Sequence, residues 1–263
     1  MENLLAPFSG EITDNRYFEG LTAGTTSYQK GIVNDRFHSH DNPTICFMLH
    51  GGGVEKRSRK SYERYACDVR FYHAEEKHQS IIKVFPSKCV NLDLEEKFLN
   101  QYQISENLLN LAVTKNLDVK FLMLKIHSEL MINDDLTNSS IKILLLSMLE
   151  EIQKSSTRKT PDWITKLHEL LNDCWSEQPS LDDLATAVNV HPVTISKHFT
   201  KYFSCTLGEY LRKVKVNKSI SLIKNTELSL TEIALQCGFA DQSHFTRNFK
   251  KITGFLPKEF KKL

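Results

Sequence analysis

Two segments near the C-terminus each carry basic, hydroxyl and amide side chains in a row at helical spacing. The first segment starts at Ser180 and the second at Ser229. Side chains of these types donate hydrogen bonds to phosphate oxygens and to base edges, where Arg and Lys suit guanine and Gln suits adenine. The segments therefore predict two nucleic-acid contacts on one chain. The expected contact residues are Val193, Ser196, Lys197 and Thr200 in the first segment, and Gln242, Ser243, His244, Thr246, Arg247 and Lys250 in the second.

Each segment has the pattern of a helix, a tight turn and a second helix, which together must position those side chains. Small residues are needed where the two helices cross, and Ala185 and Ala234 stand there. The turn needs a residue that tolerates a positive φ, and Asn189 and Gly238 do so at little cost. The second turn is one residue longer than the first. The apolar residues expected to face inward are Ile195 and Phe199 in the first copy and Phe245 and Phe249 in the second.

The helix starts in this region carry clear signals. A hydroxyl followed three residues later by a carboxylate forms a capping box, which satisfies orphan backbone N–H groups at the helix start. Asp241 is the expected cap of the last long helix. The pairs that fit the capping box are Ser180 with Asp183, Thr206 with Glu209, and Ser229 with Glu232.

Between the two segments, residues 206–226 predict one uninterrupted helix, TLGEYLRKVKVNKSISLIKNT. A helix of this length is ~30 Å long, and successive major-groove segments on one face of DNA lie ~34 Å apart. The spacer is therefore suited to set the two second helices into adjacent turns of the major groove.

Charge supports a phosphate-binding surface in the same region. The whole chain of 263 residues has a formal net charge of only +2, with 40% hydrophobic and 25% charged residues. Residues 191–263 nevertheless contain thirteen basic and five acidic residues, whereas residues 1–160 contain twenty and twenty-one. A basic excess confined to the doubled motif is what nucleic-acid binding requires.

Composition also excludes several classes. The N-terminus lacks the pattern of a signal peptide, and no apolar run reaches the ~18 residues of a membrane span. The six cysteines lie far apart without a CxxC pair, which favours free thiols over disulfides or a zinc finger. We therefore expect a cytoplasmic protein without membrane contact.

The first half predicts a different architecture. Residues from about 17 to 94 contain short β-branched and aromatic runs, separated by turn signals at 41–43, 51–53 and 86–87. This pattern favours an antiparallel sandwich or barrel. Residues 95–155 are helical by periodicity, and their wide apolar stripes suit either a dimer interface or packing on the β domain. Residues 156–161 are small and polar and end in Pro, as in a linker. The runs expected as strands are SYQKGIV, TICFML, DVRFYH and QSIIKVF.

The second copy carries a family resemblance. The run Ile-Ala-x-x-x-Gly-Phe at 233–239, followed by Phe245, Arg247, Phe249-Lys250 and Gly254-x-x-Pro257, resembles the AraC/XylS transcription regulators over residues 162–263. The sequence departs from the family pattern at Lys197, Ser204, Lys215 and Ser219. By the resemblance, the positions that members use on DNA are Val193, Ser196, Lys197, Gln242, Thr246 and Arg247.

The resemblance also implies an organisation for the rest of the chain. It implies a cupin-like sensor barrel at 1–94, a helical dimerisation segment at 95–155, and an α+β fold overall with an all-α DNA-binding domain at 162–263. It further implies a homodimer and activation through RNA polymerase.

Histidines in the β domain form a candidate effector site. Residues 31–40 resemble the first cupin motif with one residue too many, and residues 68–78 resemble the second without its Pro and Gly. The expected effector-binding residues are His38, His40, Tyr72 and His78. The three histidines have the chemistry to hold Zn, Fe or Cu, to line a pocket for a small organic effector, or to be polar residues at a barrel rim. No cofactor is expected.

We therefore predict a sequence-specific regulator that binds double-stranded promoter DNA, responds to a small-molecule effector, and is not an enzyme. One alternative is a metal-dependent cupin enzyme fused to a DNA-binding domain. Another is a non-specific architectural DNA binder, although the two second helices differ at almost every outward position.

Overall fold

The computed structural model describes residues 10–30, 36–58, 60–156, 161–173 and 179–263. The chain divides into two compact units, one of residues 1–149 with Leu263 and the other of residues 150–262. The fold is of the α+β type, since the first unit contains the sheet and the second is helical. Most of the expected linker at 156–161 lies outside the described residues.

Six antiparallel strands form the sheet of the first unit. Their order is β1-β2-β6-β3-β4, and β5 pairs with β3. Antiparallel pairing agrees with the prediction, but β3 and β6 have 14 and 17 residues and are longer than the short strands expected. Among the described residues, no strand pair closes the sheet into a barrel. The strands are β1 (Glu11–Phe18), β2 (Leu21–Tyr28), β3 (Thr44–Arg57), β4 (Lys60–Arg64), β5 (Val69–Tyr72) and β6 (His78–Leu94).

Two turns expected from glycine and proline are wrong, because both lie inside strands. Residues 51–53 belong to β3, and Pro86 and Ser87 belong to β6. The pairing of β3 with β6 shifts register between Met48 and Gly53. A Cβ on Gly53 would lie 2.0 Å from the carbonyl oxygen of Ile81. The glycines therefore allow two strands to approach closely at a bulge, rather than reversing the chain.

The start of the β region also differs from the prediction. The sheet begins at Glu11 rather than near residue 17. The run SYQKGIV is not a strand of its own, since β2 ends at Tyr28 and residues 31–33 lie outside the described part. Strand β1 alternates regularly between exposed and half-buried residues, while six consecutive residues of β2 are buried. This difference in burial follows from the place of each strand in the sheet, because β2 lies between β1 and β6, whereas β1 comes first in the strand order.

Four helices follow the sheet, in the segment where the periodicity predicts helices. Most of their apolar residues are buried, including Leu124 and Ile126 of α3 and Leu145 and Met148 of α4. Packing within the unit therefore accounts for most of the apolar stripe. A few large apolar side chains at the end of α3, in the connection to α4 and on α4 stay exposed, namely Met131, Ile132, Leu136 and Ile143. The helices are α1 (Glu96–Gln101), α2 (Glu106–Lys115), α3 (Val119–Ile132) and α4 (Thr137–Ser156).

The second unit is helical throughout its described residues. All three predicted capping boxes form with both reciprocal hydrogen bonds. Asp241 caps the last long helix, since its Oδ1 accepts from the backbone N–H of His244 at 2.7 Å. No helix among the described residues is long and apolar enough to span a membrane. The helices are α5 (Asp162–Asp173), α6 (Leu181–Ala187), α7 (Pro192–Phe203), α8 (Leu207–Asn225), α9 (Leu230–Gln236), α10 (Gln242–Thr253) and α11 (Pro257–Lys262).

A buried carboxyl makes the stability of the sheet unit depend on pH. Asp93 of β6 is 3% exposed and accepts hydrogen bonds from Asn42 and Thr44. Burial raises the pKa of Asp93 from 3.8 to about 6, although those hydrogen bonds act in the opposite direction. Between about pH 4 and pH 6 the folded chain therefore holds a proton that the unfolded chain has released.

We expect the free energy of unfolding to fall as pH rises through that window, by up to ~3 kcal/mol, and Asp93→Asn to remove this fall. Urea unfolding at pH 4.5 and at pH 7 measures this change in the free energy of unfolding. The folded fraction is determined from the protection of the β6 amides against hydrogen exchange, during a labelling pulse at one fixed pH. The same pH dependence in wild type and Asp93→Asn would contradict the assignment.

Candidate nucleic-acid interface and cavity

The two helix-turn-helix copies have nearly the same pattern of buried and exposed positions along the sequence. The pattern over residues 181–188 is identical to that over 230–237. Residues 191–200 and 241–250 differ at a single position, where Ser196 is exposed and Thr246 is half-buried. The repeat seen in the sequence is therefore a repeat in packing, and corresponding side chains of α7 and α10 face corresponding directions.

Both turns have the predicted backbone conformation. Asn189 has φ 55° and Gly238 has φ 69°. In the first copy the N–H of Val190 donates to the carbonyl of Ala185 at 3.0 Å, and in the second Phe239 donates to Ala234 at 2.9 Å. This bond from the third residue past the helix satisfies a free carbonyl at the helix end. Four residues separate α6 from α7 and five separate α9 from α10, which is the extra residue predicted from the sequence.

The positive φ of Gly238 predicts that substitution by Ala and substitution by Asn reduce stability by different amounts. Gly238→Ala should lower the free energy of unfolding of the helical unit by ~1–2 kcal/mol, because a Cβ disfavours positive φ. Gly238→Asn should cost less, since Asn189 fills the same place in the other copy. Both tryptophans, Trp163 and Trp175, lie between residues 150 and 262, so their fluorescence during urea unfolding reports this unit. Equal losses for the two variants would contradict a conformational cause.

Helix α7 presents a polar face opposite a buried apolar one. Its inward residues Ile195 and Phe199 are buried, as predicted, and Phe203 joins them. The imidazole of His191 caps the helix start by accepting from the backbone N–H of Val193 at 3.3 Å. The helix ends at Ser204, which has φ 55°. All four predicted contact residues are exposed, namely Val193, Ser196, Lys197 and Thr200.

Helix α10 presents a narrower exposed face. Phe245 and Phe249 are fully buried, as predicted. The amide oxygen of Gln242 accepts from the hydroxyl of Thr231 at 2.7 Å, which ties it to α9. The ring of His244 packs edge-on against Phe239, with centroids 5.5 Å apart. The predicted residues are therefore of two kinds, with Ser243, Arg247 and Lys250 exposed and Gln242, His244 and Thr246 half-buried.

Helix α8 joins the two copies, as the sequence predicts. It runs without interruption over nineteen residues, a length of ~28 Å. It contacts α7 in the first copy and α9 and α10 in the second. Lys215 is buried, and its ammonium donates to the carbonyl of Gly238 at 2.7 Å. The sequence did not predict this buried hydrogen bond, because a lysine in a helix ordinarily indicates an exposed face.

A cavity in the first unit contains the four predicted effector residues. His38, His40, Tyr72 and His78 all line it. The volume open to the centre of a water molecule is about 30 Å³. One water molecule needs roughly 10–15 Å³ of such volume, so the cavity has room for two or three water molecules. The lining residues that sequence reasoning missed are Tyr28, Thr44, Cys46, Arg64, Ser80, Ile82, Cys89 and Asn91.

A buried ionic network lies beside this cavity. Tyr72 donates from its hydroxyl to Glu55 at 2.5 Å, and Arg64 donates to that hydroxyl at 3.3 Å and to the Cys46 sulfur at 3.4 Å. Burial alone would raise the pKa of Glu55, but Arg64 and Arg57 hold it below its usual value. Burial raises the pKa of Tyr72 well above 10. Glu55 is thus an anion that neutralises the buried arginine, and Tyr72 keeps its proton.

The three histidines meet at one side of the cavity. The ring centroids of His38 and His78 are 4.3 Å apart, those of His40 and His78 are 5.0 Å apart, and those of His38 and His40 are 5.3 Å apart. One nitrogen from each ring lies within 4.8 Å of the other two. Burial lowers the pKa of His78, which favours its neutral ring. Neutral imidazoles in this arrangement are a donor set for a transition metal.

Known proteins similar to this chain include DNA-binding regulators, and the family match lies in the second unit. Residues 184–263 match the family model described as a helix-turn-helix domain. The chain is 21% identical over 247 residues to the HTH-type transcriptional activator RhaS of Shigella sonnei (strain Ss046), with 85% of this chain and 86% of that protein covered.

Two solved structures are also similar. An AraC-type transcriptional regulator from Chromobacterium violaceum is 25% identical, with a TM-score of 0.37, and covers 38% of this chain and 89% of its own. Wild-type ToxT from Vibrio cholerae with bound unsaturated fatty acid is 16% identical, with a TM-score of 0.37, and covers 92% of this chain and 94% of its own.

Proposed function

We infer that this chain, a transcription regulator of the AraC/XylS family, recognises promoter DNA with α7 and α10 together. The observation that carries this inference is the matched burial of the two helices, which leaves all four predicted contact residues of α7 exposed, together with Ser243, Arg247 and Lys250 of α10. The basic excess of residues 191–263 accompanies them. A surface with this charge and these donors fits the phosphates and base edges of the major groove.

The two helices present unlike faces, which suits an asymmetric DNA site. Helix α7 offers Val193, which is 61% exposed and can contact a thymine methyl, and Lys197 for guanine. Helix α10 offers Arg247 for guanine, with Lys250 on phosphate. The remaining proposed contacts are Ser196 and Thr200 on α7, and Gln242, Ser243, His244 and Thr246 on α10.

Helix α8 supports simultaneous contact with two groove segments. Its ~28 Å length approaches the ~34 Å between successive major-groove segments on one DNA face. Because α8 packs against α7, α9 and α10, it holds the two copies in a fixed relation. We propose that one chain spans one helical turn of DNA in this way.

We propose that the regulator is an activator in the cytoplasm, where promoter DNA and RNA polymerase are found. The relatives named RhaS are called transcriptional activators, which supports activation through RNA polymerase. We assign residues 1–94 to a cupin-like sensor, 95–155 to dimerisation, 156–161 to a linker and 162–263 to DNA binding. The exposed apolar residues Leu136, just before α4, and Ile143 of α4 support a homodimer.

We propose that the cavity of the first unit binds the effector through His38, His40, Tyr72 and His78. Its small volume favours a ligand of very few atoms. A ligand that binds one arrangement of the chain better than another shifts the population toward it, and by linkage alters DNA affinity.

Selection of preferred sites from a random DNA pool tests the DNA-binding proposal. We expect enrichment of a site with two unlike elements about one helical turn apart. Equal affinity for selected and random DNA, with binding that depends only on salt, would instead support an architectural binder. An enzyme fused to a DNA-binding domain would also enrich a site, and turnover of a small substrate would distinguish it.

A further inference from the structure

We propose that Cys46 and Cys89 form a reversible disulfide when the chain meets a small hydroperoxide such as hydrogen peroxide. This modification site goes beyond the proposed function and does not rest on it. Three features of the first unit support it, namely the contact between the two thiols, a guanidinium beside one of them, and a cavity that both of them line.

The fold places the two cysteines on one face of the sheet. Cys46 of β3 lies opposite Asn91 of β6. Two positions further along β3, Met48 lies opposite Cys89. The cysteines are therefore diagonal neighbours on the same face of the strand pair. Their thiol groups are hydrogen-bonded to each other and belong to one buried cluster, in which Cys46 is 7% and Cys89 is 2% exposed.

The surroundings activate one thiol and keep the other protonated. The hydrogen bond from Cys89 lowers the pKa of Cys46 to about 6 against the effect of burial, and the guanidinium of Arg64 acts in the same direction. The Nη2 atom of Arg64 lies 3.4 Å from the Cys46 sulfur. The pKa of Cys89 rises well above its usual value, because Cys89 donates that hydrogen bond and is buried. Since the thiolate is the nucleophilic form of cysteine, Cys46 is the nucleophile of the pair.

The cavity admits an oxidant of matching size. Cys46, Arg64 and Cys89 all line it, and it has room for two or three water molecules. Hydrogen peroxide occupies less space than two water molecules, so it fits against the Cys46 sulfur. A hydroperoxide with a long hydrocarbon chain does not fit in this volume.

The oxidation takes two steps. The Cys46 thiolate attacks one oxygen of hydrogen peroxide, the O–O bond breaks, and the hydroxide that leaves becomes water with the proton that Cys46 lost on ionisation. Cys46 is then a sulfenic acid. The Cys89 sulfur attacks the Cys46 sulfur, the S–O bond breaks, and the hydroxyl leaves as water with the proton of Cys89. The two thiols together lose two electrons, which reduce one peroxide to two water molecules.

The diagonal position of the pair makes the disulfide easy to reduce. Diagonal neighbours in a sheet have Cα atoms ~7–8 Å apart, whereas a relaxed disulfide requires about 4.4–6.8 Å. Closing the S–S bond therefore displaces β3 relative to β6, beside the register shift that begins after Met48. A strained disulfide is reduced more readily than a relaxed one, which is typical of regulatory rather than structural disulfides.

Oxidation of the reduced, full chain by a small excess of hydrogen peroxide tests this site. We expect one disulfide between Cys46 and Cys89, identified by peptide mapping without reductant, and recovery of both thiols with dithiothreitol. Cys67→Ala is the matched control, because Cys67 is a buried cysteine of the same unit that is not among the cavity-lining residues. This variant should form the same disulfide as the wild type.

Cys89→Ala separates the two steps. Its oxidation should stop at the sulfenic acid of Cys46, which dimedone traps as a stable adduct. Circular dichroism checks the fold of each variant, and the disulfide mapped in the wild type tests the site even if a variant fails to fold. Absence of the Cys46–Cys89 disulfide from the folded wild type, its formation only in urea, or a folded Cys89→Ala protein without an adduct at Cys46 would overturn the site.

Discussion

Replacing Arg247 by Ala is expected to weaken binding to the selected DNA site by about 1–3 kcal/mol, or roughly 5- to 150-fold. Arg247 is exposed on α10, between the buried anchors Phe245 and Phe249. Those anchors fix the helix, so the guanidinium is held where a guanine presents two acceptors for its paired donors. The loss should come with relaxed choice at one base pair, because a base contact carries sequence information.

Affinity for the selected site and for its variants at each position, at one stated salt concentration, measures this. Lys166→Ala is the matched control, since it removes one exposed cation from α5 and leaves both second helices unchanged. The control should lose little affinity and keep its choice of bases. An Arg247→Ala protein that binds as tightly and selectively as the wild type would contradict the role of α10.

Phe249→Ala is expected to lower the free energy of unfolding of the helical unit by about 3–5 kcal/mol. The Phe249 ring is fully buried, with ring centroids 5.6 Å from Phe245 and 5.5 Å from Phe260. Removing it leaves a cavity between α10 and α11, and native domains are stable by only about 5–15 kcal/mol. A large fraction of the unit's stability therefore depends on this side chain.

Urea unfolding followed by tryptophan fluorescence measures this loss. Phe255→Ala is the matched control, because the Phe255 ring is only half-buried and should cost clearly less. DNA affinity of Phe249→Ala should recover at low temperature, where the folded fraction is restored. An unfolding free energy unchanged by Phe249→Ala would contradict the inward orientation on which the assignment of the exposed face depends.

The helical unit was predictable because its signals are local. A capping box joins residues three apart, and the turn depends on the φ of one residue, so Ser229 with Glu232 and Gly238 could be identified from sequence. The positions of Gln242 and His244 could not, because their exposure depends on Thr231 and Phe239 in a neighbouring segment.

The sheet unit was less predictable because its structure depends on distant pairs. Residues 51–53 have the composition of a turn, and only their pairing with β6 shows that they are a bulged strand. Arg64 and Glu55 are ordinary surface residue types, and pairing of β3 with β4 buries both. The three histidines could be predicted because residues 31–40 and 68–78 resemble two motifs, whereas the bridge that joins His38 to His78 pairs residues forty positions apart.

The most direct test of two-helix recognition is to compare the sites selected by Lys197→Ala and Arg247→Ala with the site selected by the wild type. If α7 and α10 read adjacent groove segments, Lys197→Ala relaxes base choice only in one half of the site. Arg247→Ala relaxes it only in the other half, about one helical turn or ~10 base pairs away. Relaxation of the same half by both variants, or of neither half, would contradict the account.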